Sequence, residues 1–329
     1  MATLSQPILV LADHQGSDAD GWHLTPASAQ IISLASTLSD AGVVALSLTT
    51  NPDMTTLGAL GVEKVLVPGI DHSSARVSAV VADAVASAVT TQDFGALFVV
   101  STYRGREVAS RIATLTNSGV VCDAIGVEVD GDSLVVTTTA LAGSWSNRLK
   151  VSGSLPAVAL RPGSFDVLES APVTPVAESI DVELSDEARA VTLVCSSALE
   201  STGVSLTEAS TVVVAGRGTN GDVNIVNELA DELGAAVGAT RVVCDEGWAP
   251  RTMQIGQTGL SVSPNLYIGL GVSGAIHHTV GMQSSAHIVA VCDDPDAPIF
   301  EIADFGVVGD MFEVIPAALE EIKKARDAE

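Results

Sequence analysis

The residues best placed to do chemistry lie between Gly216 and Asp310, and their types suit holding a nucleotide. Gly216, Gly218 and Gly221 form a GxGxxG between an apolar run, Thr211–Ala215, and an amphipathic one, Asn224–Leu233. Glycine lets backbone amides approach a phosphate, and a helix N-terminus favours negative charge. The bare pattern fits a ligand-free βα turn equally well and gains weight only from the strand before it and the helix after it. Arg217 sits inside the loop, where its planar fork suits a pyrophosphate. A surface ion pair is the plainer reading. Asp245 ends the next possible strand, Arg241–Cys244, about where a ribose-binding acid would sit, so an NAD-dependent dehydrogenase competes.

A second glycine loop, Gly271 to His278, follows the strand Asn265–Leu270. Two such loops in one domain can hold a long, bent dinucleotide. His277 and His278 are adjacent, about 100° apart on a helix, so they do not readily face one site. Each also reads as a surface or core histidine. No Cys, Asp or Glu lies near them at metal-ligand spacing. Between the loops, Met253 to Gly259 offers amides and a hydroxyl between two glycines. Such groups read the edge of a heterocycle, or make an ordinary turn. No convincing acid–base pair or nucleophile stands out.

The elements needed to position these loops alternate along the chain. Ile8–Ala12, Val43–Leu48, Lys64–Val67, Ala96–Val100 and Val120–Cys122 read as strands. Helices are expected from Thr25-Pro26 onward, over Ser73–Val89 and over Arg106–Leu115. Ile125–Val129 and Leu134–Thr138 flank a hairpin signal, Asp130-Gly131-Asp132. Ala157–Leu160 and Val191–Cys195 read as further strands, with an irregular excursion from Arg161 to Ser185. Polar residues from Glu200 to Ser210 place a domain boundary near Glu200. A second βα series follows, with His287–Cys292 a strand, Ala275–Val280 opening a helix and Pro316–Ala325 a closing one. This is an α/β chain of two domains, 1–200 and 201–329, each a mainly parallel sheet with flanking helices.

Composition narrows the function. Of 329 residues, 47% are hydrophobic and only 3% aromatic, so Val, Ala, Leu and Ile must fill the core, as in a sheet covered on both faces. The net charge of −25 argues against nucleic acid and anionic membranes, which need clustered Lys and Arg. The acidity serves solubility, or steers the chain toward a basic partner. Four scattered cysteines without a CxxC pair suit reduced thiols in a cytoplasmic protein. No signal peptide is expected from Met1 to Pro7, and no run approaches the about 18 apolar residues of a membrane span.

Together the motifs resemble one family, the alpha subunit of electron transfer flavoprotein. The resemblance is carried by Leu266 to His278, by Asp294 to Phe300 with Ala303 to Gly306, by Gln254 to Gly259, and by Gly216-Arg217-Gly218. Their order and spacing fit from roughly Thr211 to Pro316, whereas the N-terminal half matches in length and strand pattern. The chain departs from the family at Ala215, His277 and Cys292, where Gly, Gln and Asn are common.

The resemblance implies FAD in a Rossmann-like C-terminal domain, with the N-terminal domain serving subunit pairing. Arg217 would lie by the pyrophosphate, Thr240 and Arg241 near the flavin. Ile255, Gly256, Gln257 and Thr258 would meet the flavin edge. Ser273, Gly274, Ala275, Ile276, His277 and His278 would form the loop at ribityl, phosphate and ring, with His278 a donor close to the C2 carbonyl. Cys292 and Asp310 would lie on the cofactor too, Asp310 on the adenosine side. Such a protein is an electron carrier without substrate turnover. It pairs with a beta subunit, accepts electrons from flavin dehydrogenases such as acyl-CoA dehydrogenases, and passes them to a quinone-reducing oxidoreductase. The alternatives are the NAD-dependent dehydrogenase and a non-redox nucleotide-binding module.

Overall fold

A computed structural model of the chain describes residues 2–131, 133–141, 143–168, 170–196 and 205–326. It divides into two compact units, Met1–Ala140 with Trp145–Ala198, and Leu141–Ser144 with Leu199–Glu329. The expected boundary at Glu200 falls outside the described residues.

In the first unit β1 (Ile8–Ala12) leads into an antiparallel hairpin, β2 (His14–Ser17) and β3 (Gly21–Leu24). Then come α1 (Pro26–Leu38), β4 (Val43–Ser47), α2 (Met54–Ala59), β5 (Lys64–Pro68), α3 (Ser78–Val89), β6 (Ala96–Val100) and α4 (Tyr103–Leu115). Thr25 caps α1 by accepting from the Ser28 N–H, with Pro26 at the first helical position. The long β7 (Val120–Asp130), β8 (Ser133–Ala140) and β9 (Trp145–Val151) form an antiparallel meander, followed by β10 (Ala157–Leu160), β11 (Val176–Ile180) and the short α5 (Asp186–Arg189). The nine-stranded order is β11-β5-β4-β1-β6-β10-β7-β8-β9. Both faces are covered: Ile8, Val10 and Phe98 pack toward α1, while Leu9, Leu11 and Leu97 pack toward α3 and α4. Each such large apolar side chain, fully buried, contributes roughly 1.5–3 kcal/mol.

The second unit contains β12 (Thr211–Ala215), α6 (Asn224–Leu233), β13 (Ala236–Ala239), α7 (Arg241–Asp245) and β14 (Leu266–Leu270). It continues with α8 (Ile276–Thr279), β15 (His287–Cys292), β16 (Phe305–Val308) and α9 (Met311–Arg326). All five strands are parallel, in the order β13-β12-β14-β15-β16. Counted within the unit this is 2-1-3-4-5, a doubly wound order whose switch point lies between β12 and β14.

The α/β class and the paired sheets stand as expected, with four local differences. Arg241–Cys244 is helical, not a strand. The strand is the preceding Ala236–Ala239, whose small residues hide it, while Val242 and Val243 mimic a β run. Val191–Cys195 forms no strand; nothing pairs with it among the described residues, and Val194 is 93% exposed. The irregular stretch after Arg161 contains β11, which adds in parallel to β5 at the sheet edge. Val120–Cys122 and Ile125–Val129 are one strand, its register shifted between Ala124 and Gly126. No helix among the described residues is long and apolar enough to cross a membrane.

Candidate functional site

The carboxyl ends of β12, β13 and β14 open onto a cleft of about 270 Å³ at the switch point of the second sheet. Such crevices are where open α/β sheets bind ligands. Arg217 enters from the β12 loop, Thr240, Arg241 and Val242 from the β13 end, and Val272 to Ala275 from the β14 loop. Gln254, Ile255, Gly256 and Thr258 line another side, with His277 and His278. Among the described residues no acidic one lines the cleft, although the whole chain carries a net charge of −25.

The two glycine loops are built around each other. Gly216 N–H donates to the Leu270 carbonyl at 2.8 Å, and Gly218 N–H to the Gly271 carbonyl at 3.0 Å. A Cβ on Gly216 would sit 2.1 Å from the Gly271 oxygen, and one on Gly218 2.8 Å from the Gly271 Cα. These amides therefore satisfy the neighbouring loop instead of cradling a phosphate. At the start of α6 the Asn224 N–H is taken by the Asp222 carboxylate, 3.1 Å away, which disfavours an anion there. Asp245 lies on α7 and joins Arg241 at 3.1 Å and Arg251 at 2.6 Å. The features that suggested an NAD-type loop are thus occupied by internal contacts.

The cations are presented differently. Arg217 is exposed on the cleft and pairs with no carboxylate among the described residues, so the surface ion-pair reading does not hold. Arg241, also in the cleft lining, is tethered at Nε by Asp245. Thr240 occupies the N-cap position of α7 without capping it, so its hydroxyl is unspent.

Residues 254 to 260 are clipped into a tight loop by α8. Gln257 N–H donates to the His277 carbonyl at 2.7 Å, and His277 Nδ1 meets Gln257 Oε1 at 2.6 Å. Gln254 Nε2 donates to Thr258 Oγ1 at 2.9 Å. His278 is 6% exposed. Its Nδ1 lies 3.1 Å from the Ile255 carbonyl and its Nε2 2.8 Å from the Tyr267 hydroxyl. Burial pushes its pKa down to about 4, against a smaller upward pull from the Ile255 carbonyl, so the ring is neutral at pH 7. A carbonyl only accepts, so Nδ1 carries the proton and Nε2 accepts from Tyr267. His278 thus stands in the lining of the cleft with its ring held between the Ile255 carbonyl and the Tyr267 hydroxyl.

Eleven of the fifteen expected residues line the cleft, and four lie outside it: Gln257, Ile276, Cys292 and Asp310. Gln257 is turned to His277, and Ile276 is 65% exposed. Cys292, the last residue of β15, is buried in the core, and Asp310 accepts from the Phe312 N–H at the start of α9. Tyr267 falls within the run Leu266 to His278, but nothing there marks it as the partner of the histidine eleven residues on.

The residues fit a large cofactor with an apolar ring and an anionic tail. Ile255 and Val272 supply apolar wall, Thr240 and Thr258 polar edge groups, and Arg217 and the Asp245-tethered Arg241 positive charge. Fold and site together define a nucleotide-cofactor protein of two parallel-rich α/β units. Residues 9–190 match the Electron transfer flavoprotein domain, and residues 205–283 the Electron transfer flavoprotein FAD-binding domain. The chain is 37% identical over 322 residues to "Electron transfer flavoprotein subunit alpha" of Mycobacterium leprae, covering 96% of this chain and 98% of that protein. It is 40% identical over 235 residues to the protein of the same name from Syntrophomonas wolfei, covering 70% and 73%. Against that of Bacillus subtilis the identity is 39% over 226 residues, covering 68% and 69%. The chain belongs to the electron transfer flavoprotein alpha-subunit family, and the matched second unit is its FAD-binding domain.

Proposed function

We propose that this chain carries electrons on FAD held in the second-unit cleft, as the alpha subunit of a cytoplasmic heterodimer. The first unit and a beta subunit would form the pairing surface. Flavin dehydrogenases, acyl-CoA dehydrogenases among them, supply electrons, as in fatty acid β-oxidation, and a quinone-reducing oxidoreductase takes them. The observation that carries the reading is the acid-free cleft with Arg217 and Arg241 at the switch point of a unit matched to an FAD-binding domain.

When bound, FAD supplies the redox chemistry. Arg217, lacking a carboxylate partner, holds the pyrophosphate. Arg241 keeps its charge in place because Asp245 fixes Nε, and preorganised positive charge favours electron density arriving nearby. Thr240 and Thr258 hydroxyls and the Ser273 to Ala275 backbone orient the ring and ribityl chain. His278 is assigned beside the flavin C2 carbonyl, and its Nδ1 holds the Ile255 carbonyl and so the wall of the cleft. Cys292 and Asp310 are assigned to the cofactor as well, Asp310 on its adenosine side.

The test is a visible spectrum and released-nucleotide analysis of the co-expressed complex. The reading expects a yellow complex that releases FAD, and an Arg217→Ala form that holds it about 10- to 100-fold more weakly. A folded, colourless complex overturns it. Tight nicotinamide binding would instead favour the dehydrogenase alternative.

A further inference from the structure

We propose a second binding site, in the first unit, for a small phosphorylated ligand bearing a flat ring. The site is a cavity of about 330 Å³ outside the carboxyl edge of the nine-stranded sheet. β4 and β6 flank β1 on opposite sides, so the sheet's direction of growth switches at β1. Asp13, just after β1, and Arg104, at the start of α4 after β6, face each other across that switch point as an ion pair. This is the position at which open α/β sheets take ligands, and it is independent of the flavin cleft.

The charge pattern singles the cavity out. Of 15 Lys and Arg residues, twelve form ion pairs. Among the described residues Arg76, Arg217 and Lys323 do not. Arg217 lines the flavin cleft, and Arg76 lines this cavity. In a chain with 40 carboxylates, a guanidinium left unpaired on a concave wall is an anion receptor in waiting. Arg104 adds a second guanidinium, held by Asp13 and by the Ala75 carbonyl at 3.1 Å from Nη1. Together the lining side chains Arg76, Arg104 and Asp13 leave one net positive charge.

The opposite wall fixes the rest of the ligand. The β2–β3 hairpin contributes Gln15, Gly16 and Trp22. The Trp22 indole, half-buried and oriented by its Nε1–H bond to Asp18 at 2.8 Å, gives a ring face. Thr49, 5% exposed, accepts from the Asn51 N–H and retains its own hydroxyl proton. His14 is wall rather than ligand. Its Nδ1 meets the Ala12 carbonyl at 3.0 Å and its Nε2 accepts from the Asp53 N–H at 3.1 Å.

The test uses the flavin-loaded full chain with its partner, dialysed against phenyl phosphate or inorganic phosphate at about 0.15 M salt, which screens the acidic surface beyond about 8 Å. Phenyl phosphate is expected to bind more tightly than inorganic phosphate and to change tryptophan fluorescence, a change lost in Trp22→Phe. Arg76→Gln should weaken binding about tenfold or more. Asp13→Asn, which frees Arg104 and removes the cavity's acid, should tighten it severalfold, an effect that misfolding would not give. Lys323→Gln removes the same charge elsewhere and should change nothing. Equal affinity in wild type and Arg76→Gln overturns the site, as does equal loss in Arg76→Gln and Lys323→Gln, or no binding at millimolar ligand.

Discussion

The Tyr267 hydroxyl donates to His278 Nε2 across 2.8 Å, pairing a fully buried tyrosine with the histidine beside the cleft. Tyr267 lies on β14 with no exposed surface, and its burial pushes its own pKa up, so the hydroxyl stays a donor. His278 then holds the Ile255 carbonyl through Nδ1. Tyr267→Phe would leave Nε2 without a donor in a buried place. The expected cost is about 1–3 kcal/mol, read as a lower urea midpoint by tryptophan fluorescence. An unchanged midpoint removes this bond from the stability of the second unit.

Acid should weaken the second unit through the same histidine. His278 has an ordinary pKa of 6.5 unfolded and about 4 folded. Between those values the unfolded chain binds more protons, so stability is complete above 6.5 and falls as pH drops toward 4. The contribution is at most roughly 3 kcal/mol, at 1.36 kcal/mol per pKa unit. Burial lowers the His14 pKa as well, so the measurement is a difference. The urea midpoint of His278→Gln should vary less with pH than wild type between pH 4 and 6.5, and parallel curves would contradict this.

Gly218→Ala separates loop packing from phosphate cradling. The added methyl would press on Gly271 backbone at 2.8 Å, with no flexible side chain to yield. Overpacking of this kind costs roughly 1–3 kcal/mol. The loss should appear in the cofactor-free chain as well as the loaded one. A variant stable without FAD but unable to bind it would return the glycines to the phosphate role.

Arg241→Ala and Asp245→Asn should part company in potentiometry of the flavin-loaded complex. Removing the cation makes the bound cofactor harder to reduce. A tenfold preference between redox states corresponds to roughly 59 mV for one electron, and a shift of that order is expected. Asp245→Asn keeps the charge but loosens its placement and leaves Arg251 without its ion pair. Its shift should be smaller. Equal shifts would mean that the tether, not the charge, sets the potential.

Much of the fold and part of the site were legible without coordinates. The apolar runs at Ile8–Ala12, Thr211–Ala215 and His287–Cys292 are strands because their side chains are buried on both faces. Thr25-Pro26 starts a helix through contacts within four residues. By contrast β13 is Ala-Val-Gly-Ala, too small to signal burial, and is a strand because it pairs with β12. The β2–β3 hairpin is polar and passes unnoticed for the same reason, yet it walls a cavity.

The sequence by itself determined the class, the family and the local punctuation, because apolar periodicity, caps and contiguous motifs are properties of neighbouring residues. Tertiary structure alone decided what each motif does. Gly216 and Gly218 meet Gly271 more than fifty residues away, and their amides are spent there. Asp245 becomes the tether of two arginines, and His278 is held between Ile255 and Tyr267. Hydrogen-bond capacity is fixed by residue type, but where it is spent depends on which distant atoms the packed fold brings within about 3 Å.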